Sequence, residues 1–385
     1  MNTIETKESF SVLIPDGESP QALGVLRCLA QMKNVKVYIL SSDARVPIRF
    51  SRYSNQFFSY ANEKGDEGLI AAINDTVKKV KVDIVLPVDA KTIGLLSANS
   101  GNLSQLTMIA PLPTSNAFKI ANNKWLLSEW LKNNKIPCPT TILYQTNNSF
   151  DEALTNISFP VLIKPSLGGD GNGIKLFDTP AALYSHCKEH IGSGDFIIQS
   201  FINGYDIDCS ILCREGKILA YSIQKTFIKG PRQFGPSVGI DFLYDECTYN
   251  VVKELAEKFK WSGVVHIDLR YDEKDKQVKV IEMNPRFWAS VLGSLCAGVN
   301  FPYLTCLAGL KRDLPKIEVQ PKRFVQGKVA IKILAHRLLY RNRKDHYFDN
   351  SSIQFILKDP IPNIIERYYK IYKKVVHKKT KKSLN

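Results

Sequence analysis

Residues that could do metal and phosphate chemistry cluster near position 280 of this 385-residue chain. Glu282, Asn284 and Arg286 are spaced two apart, as are His266, Asp268 and Arg270 in the run before them. On β-strands each trio points to a single face. The polar stretch 271–277 between them reads as a turn. Folding about Asp275 sets Asp268 opposite Glu282 and His266 opposite Asn284. Directly opposed residues have Cβ atoms about 5 Å apart. Two carboxylates and an amide oxygen at that spacing suit Mg²⁺, a hard cation that takes oxygen ligands at about 2.1 Å. Arg286, a step further along the face, can grip a phosphate oxygen through a forked, charge-assisted contact. The competing reading is a polar hairpin face washed by water.

Two upstream pieces weigh against plain solvation. Lys164 ends an apolar run, 159–165, and is followed by a loop containing Gly168, Gly169, Gly171 and Gly173, then a second short apolar run at 174–177. Glycines let backbone N–H groups turn toward a phosphate with no Cβ in the way. The loop lacks the G-x-x-x-x-G-K-[ST] order and opens no helix, which excludes a Walker A loop and a dinucleotide fingerprint. A hairpin with glycine turns explains the loop alone. With Lys164 at its base, Lys124 upstream and an acidic hairpin about a hundred residues on, a nucleotide lid explains more.

In this order the pieces resemble the ATP-grasp superfamily, which includes carbamoyl phosphate synthase large subunits and D-alanine–D-alanine ligases. The resemblance spans about residues 10–310. It implies a cofactor site for ATP with Mg²⁺ or Mn²⁺, two ions in all. Lys124 and Lys164 match the two phosphate-binding lysines, and 168–173 the glycine lid. Gln199, Ser200 and Ile202 match the adenine hinge, with backbone groups of Ser200 and Ile202 offered to the base, and Asp206 the ribose carboxylate. Asp268, Glu282 and Asn284 match the metal ligands, and Arg286 the phosphate-binding catalytic arginine. Gln199 stands where the family often has an acid, and Asp206 is shorter than the usual Glu.

The N-terminal part alternates strand-like runs (10–15, 35–40, 83–87) with helical ones (20–32, 67–79), the pattern of a doubly wound parallel sheet. Asp16 and Glu18 follow the first strand without a G-x-G-x-x-G. Asp89, after the 83–87 run, reads as a helix cap or a solvated group. The expected fold class is therefore α/β: a pre-ATP-grasp domain at 1–112, an ATP-grasp domain at 113–310 and a basic helical extension at 311–385. Within the second domain the lid spans 164–177 and the metal hairpin 263–287.

Composition bounds the rest. The polar N-terminus, 1–9, does not read as a signal peptide, and no apolar run reaches the ~20 residues of a membrane span. Eight cysteines without a C-x-x-C pair read as reduced thiols in the cytoplasm. His186 and His190 are four apart, but H-C-K-E-H lacks the Glu of H-E-x-x-H, so zinc is not expected there. From residue 322 onward there are seventeen Lys and Arg against four Asp and Glu, +13 of the whole chain's +15. Ile364, Ile365, Tyr368, Tyr369, Tyr372, Val375 and Val376 recur among these charges at helical spacing. Such a basic amphipathic helix either contacts an anionic membrane surface or docks on its own enzyme. Nucleic acid is not an expected partner, since no recognition module accompanies the charge.

The activity this resemblance implies is ADP-forming ligation of a small-molecule carboxylate to an amine, or to a thiol, through an acylphosphate. Carboxylate or carbamate phosphorylation, as in carbamoyl phosphate formation, is the alternative; a non-catalytic nucleotide-binding module at a membrane is another. Arg270 either binds the oxyanion of the tetrahedral intermediate or forms a structural ion pair. The segment 224–237, with two glycines and two prolines, reads as a substrate loop in which Lys225 and Arg232 hold the acid and Ser237 donates a hydrogen bond.

Overall fold

The computed structural model describes residues 8–382, apart from 62, 64, 145–153, 155, 156, 170, 191–194, 328, 330 and 332–349, and without the side chains of 189, 190 and 373–382. The N-terminal segment 1–7 and Asp170 of the lid fall outside these residues, as do the side chains of His190 of the histidine pair and of the last lysines.

Five strands, β1 (Phe10–Ile14), β2 (Val35–Ser41), β3 (Gln56–Ser59), β4 (Ile84–Val85) and β5 (Met108–Ile109), pair in parallel in the order β3-β2-β1-β4-β5. All five residues of β1 are buried, as a central parallel strand covered on both faces requires. Helices α1 (Ala22–Leu29), α2 (Gly65–Val80) and α3 (Ala90–Asn99) make the crossovers. The Asp89 side chain accepts the Lys91 N–H and caps α3, the capping role of its two sequence readings. Asp16 is buried and accepts the N–H groups of Val88 and Asp89, tying the turn after β1 to the turn after β4.

Helices α4 (Ser115–Ala121) and α5 (Lys124–Asn133) lead into a four-stranded antiparallel sheet, β6 (Thr141–Tyr144), β7 (Val161–Pro165), β8 (Lys175–Phe177) and β9 (Phe196–Ser200), ordered β6-β9-β7-β8. Helix α6 (Pro180–His190) runs between β8 and β9. The larger antiparallel sheet holds β10 (Gly204–Arg214), β11 (Lys217–Ile228), β12 (Gly239–Leu243), β13 (Gly263–Asp272), β14 (Gln277–Asn284) and β15 (Lys322–Val325), ordered β14-β13-β10-β11-β12-β15. One face of this sheet packs Ile207, Cys209, Ile223, Ile267 and Leu269 against α4, α5 and α7 (Glu246–Phe259). The opposite face carries polar side chains at its β13–β14 end. Toward its other end, Leu212, Ala220, Phe242 and Phe324 join a core with α1, α8 (Val291–Cys296), α9 (Phe301–Gly309) and β1, which fuses the larger sheet to the parallel one.

Two expectations change. The segment beginning at Gln224 is strand as far as Ile228, so the loop is 229–238. Its β-branched and aromatic residues Thr226, Phe227 and Ile228 favour pairing with β12 over a turn. The C-terminal extension also supplies β15 to the larger sheet before α10 (Ile353–Lys358) and α11 (Ile361–Lys382). Only four residues long, β15 offers too little alternation to be read from sequence.

Candidate active site

The hairpin of β13 and β14 pairs Asp268 with Glu282 and His266 with Asn284, as the sequence suggested, though by a different route. Near the turn, Asp272 pairs with Gln277 and Leu269 with Val280, a ladder that on its own would set Ile281 opposite Asp268. A β-bulge between Asp268 and Leu269 absorbs one extra residue. Val278 and Val280 are therefore buried before the bulge and Met283 after it, while Glu282 and Asn284 share the half-exposed face with Asp268.

Lys124 arrives from α5. Asn123 caps that helix by accepting the N–H groups of Trp125 and Leu126, both at 3.0 Å, and the Lys124 N–H donates to Ser166 O at the base of the glycine loop. The ammonium is buried, 2.5 Å from Gly168 O and 3.1 Å from Glu282 Oε1. Lys164, on β7, is buried as well, and its Nζ donates to Gln199 Oε1 at 2.7 Å. Gln199 passes its own amide N–H to Thr141 Oγ1 at 3.0 Å, so an amide fills the place where an acid was the family expectation. Burial, with repulsion from Lys124 added to it, lowers the Lys164 pKa to about 8, with Glu282 opposing.

A polar chain runs across the face. Arg286 Nη2 donates to Asn284 Oδ1 at 3.2 Å, Asn284 Nδ2 to Asp268 Oδ2 at 3.1 Å, and His266 Nε2 lies 3.2 Å from Asp268 Oδ1. The other ring nitrogen of His266 meets Ser210 Oγ at 2.8 Å, and the ring stacks on Trp288. Burial alone would raise the Asp268 carboxyl, but the His266 hydrogen bond and the charges of His266 and Arg286 hold it below the usual carboxylate range. Burial raises Glu282, against the pull of Lys124.

Asp208 belongs to this cluster and was missed in the sequence. Ligand atoms of Asp208, His266 and Asp268 lie within 4.8 Å of one another. Burial first, then the Asp268 charge, push the Asp208 carboxyl up to about 7. The alternation that aligned Asp268 with Arg270 also aligns Asp208 with Asp206, so the same argument applied to β10 would have found it.

The hinge segment follows β9. The Ser200 N–H donates to Thr140 O at 2.9 Å, and Ile202 O accepts from Arg270 Nε at 2.7 Å. Arg270 also donates to Gly204 O at 2.9 Å and to the Asp206 carboxylate, and stacks over Phe201. Of the two roles considered for Arg270, the geometry corresponds to the ion pair, and the guanidinium clamps the hinge. Lys225 is a correction: it pairs with Ile207 on the helix-covered face of the sheet, with its ammonium 3.6 Å from the Tyr205 ring centroid. Strand alternation thus takes it off the face that carries Asp268. Arg232 Nη1 donates to Asn172 Oδ1 at 2.8 Å, and Ser237 Oγ lies 2.6 Å from Thr226 Oγ1. The loop 229–238 therefore touches the glycine loop, where a Cβ on Gly171 (φ +70°) would fall 1.9 Å from Phe234 O. Gly168 and Gly173 also have positive φ, as the lid reading needs, and Gly169 lies beside Arg286 and Asn284.

An all-oxygen donor set of Asp268, Glu282 and the Asn284 amide fits Mg²⁺ or Mn²⁺. Two buried lysines and an arginine around it fit a polyphosphate.

The class of protein follows from comparison. Residues 121–290 match the family described as ATP-grasp domain. A D-aspartate ligase of Enterococcus faecium is 22% identical over 326 residues, 78% of this chain and 76% of the relative. A carbamoyl phosphate synthase large chain of Thermotoga petrophila is 24% identical over 215 residues, 52% of this chain and 19% of that one. The chain thus spans about a fifth of the synthase's length. The fold matches N5-carboxyaminoimidazole synthetase of Staphylococcus aureus, solved with ADP, at a TM-score of 0.65 and 15% identity over 88% of each chain. Residues 121–290 thus match an ATP-grasp domain, with an N-terminal parallel sheet before it and a helical C-terminal region after it.

Proposed function

We propose that this protein is an ADP-forming ligase that joins a carboxylate to an amine through an acylphosphate. The observation that carries the reading is the convergence of Lys124, Glu282 and the carbonyl of Gly168 within about 3 Å, with Lys164 on the strand that leads into the glycine loop. Cations, an acid and the lid base meet where a terminal phosphate would be handled.

In this reading Lys124, Lys164 and Arg286 offset the phosphate charge, the dominant task in phosphoryl transfer. Asp268, Glu282 and Asn284 hold Mg²⁺ or Mn²⁺, two ions, which when bound neutralise charge on the phosphates. The adenine lies along 199–202 and the ribose beside Asp206, with Arg270 fixing that segment. Gly168, Gly169, Gly171 and Gly173 cover the phosphates, and the loop carrying Arg232 and Ser237 lies against them to bound the acid substrate. A carboxylate is a poor electrophile until phosphorylated; a closed, dry site protects the acylphosphate from water until the amine attacks. His266, hydrogen-bonded on both nitrogens, orients Asp268.

The match to a D-aspartate ligase over most of both chains supports an amine acceptor over a thiol. Phosphorylation without ligation, in the manner of a carbamoyl phosphate synthase, has the shorter match in its favour. An oxygen-18 label in the substrate carboxylate decides the chemistry. Ligation through an acylphosphate sends label to inorganic phosphate alongside ADP; AMP and pyrophosphate as products would overturn the proposal.

A further inference from the structure

The chain presents a stripe that the nucleotide chemistry does not use. Leu357, Ile361, Ile364, Tyr368, Ile371 and Tyr372 are each between 52% and 63% exposed, although they belong to the ordered helices α10 and α11. From Ile361 their spacing is three and four residues, so they form one line along the helix.

The base of that helix is fixed to the parallel-sheet region. Arg27, buried on α1, lies 3.6 Å from the Asp359 carboxylate and donates to Asp359 O and to Asn363 Oδ1, both at 2.7 Å. The same carboxylate accepts Ser51 Oγ–H at 2.8 Å and the Arg52 N–H at 3.1 Å. Helix α11 packs against the short turn Pro47–Phe50, whose Phe50 is itself exposed. The helix is thus held by one side while the apolar stripe faces outward.

Its charge identifies what the stripe fits. Residues 357–382 contain nine Lys and Arg against two acids, Asp359 and Glu366. Asp359 is consumed by Arg27, and Glu366 is paired with Lys370. A second copy of the chain on this stripe would bring two strongly positive helices together within a Debye length of about 8 Å. An anionic lipid surface meets both demands: acyl chains for the isoleucines and negative headgroups for the lysines, with the tyrosines at the boundary. Among the described residues no helix is long and apolar enough to cross a membrane, so the contact lies in the interface plane.

We propose that α11 docks this protein on an anionic lipid surface through the line Ile361, Ile364, Tyr368 and Ile371. The proposal is independent of the ligase reading. Full-length protein is sedimented with vesicles of phosphatidylcholine alone or mixed with phosphatidylglycerol, beside an Ile364→Glu/Tyr368→Glu variant. The wild-type bound fraction is expected to be at least about tenfold higher on the mixed vesicles and to fall in about 0.5 M NaCl. The variant, with an unchanged melting temperature because both sites are exposed, should lose that binding. Absent binding at low salt, equal binding to both vesicles, or full binding by the variant would each overturn the proposal. So would a dimer in light scattering that the same variant disperses, which assigns the stripe to a second copy.

Discussion

On the proposed function, Lys164 should make nucleotide binding pH-dependent in a calculable direction. Burial has lowered its pKa from 10.5 to about 8. If only the ammonium form binds phosphate, the competent fraction falls from about 0.9 at pH 7 to about 0.1 at pH 9, and the apparent Kd rises by the same factor, about tenfold. The measurement is titration calorimetry with a non-hydrolysable ATP analogue and Mg²⁺ at constant ionic strength. Lys164→Arg keeps its charge throughout this range, so its Kd profile should be flat. A wild-type Kd constant within about twofold between pH 7 and 9, or an equal rise in the arginine variant, refutes the reasoning. Stability changes in the opposite sense. Between the folded value near 8 and the unfolded 10.5, the unfolded chain holds the extra proton. This group's contribution to stability therefore climbs with pH across that window, and below pH 8 its burial costs about 3 kcal/mol.

Three further predictions follow from the geometry. Glu282→Ala removes both a proposed metal ligand and the partner of Lys124 at 3.1 Å, so substrate-dependent ADP release should drop about 10²-fold or more; near wild-type release would refute the metal assignment. Arg270→Ala frees the hinge carbonyls of Ile202 and Gly204, so KM for ATP should rise about tenfold while kcat changes little. A collapse of kcat with KM unchanged would return Arg270 to a role in the transition state. Asp359→Ala removes the carboxylate that faces Arg27, whose side chain is only 4% exposed, and should lower unfolding free energy by about 3–5 kcal/mol, read from denaturant melts; a change below about 1 kcal/mol would show that the pair is solvated.

What the sequence revealed, it revealed through periodicity. Alternation by two set Asp268, Glu282 and Asn284 on one face, and the strand–glycine–strand run located the loop beside Lys164. Asp208 escaped because its companion Asp206 had already been assigned to the ribose, and the remaining partners of the cluster come from β13, about sixty residues away. Lys225 was misjudged because glycines and prolines further along made the whole segment look like loop. Once β11 is seen to reach Ile228, parity alone takes that side chain to the covered face. The β15 strand and the Arg27–Asp359 anchor are contacts between distant segments that no local pattern encodes.

The bulge opposite Asp268 makes one residue of β14 arithmetically spare. Up to Val280, even-numbered side chains enter the core; from Glu282 on, even-numbered side chains leave it. Deleting Ile281 would restore an unbroken ladder in which Val280 stays inside and Glu282 still stands across from Asp268, so every neighbour keeps its face. Deleting any other single residue between 278 and 283 while the bulge persists would turn part of the strand over and put polar side chains where apolar ones pack. What Ile281 contributes is the added local twist of a bulged strand, hence the angle at which Glu282 looks toward Lys124 and Asn284 toward Arg286. A chain one residue shorter there would keep all the candidate ligands and differ only in their aim, so it would separate the inventory of the proposed centre from its orientation.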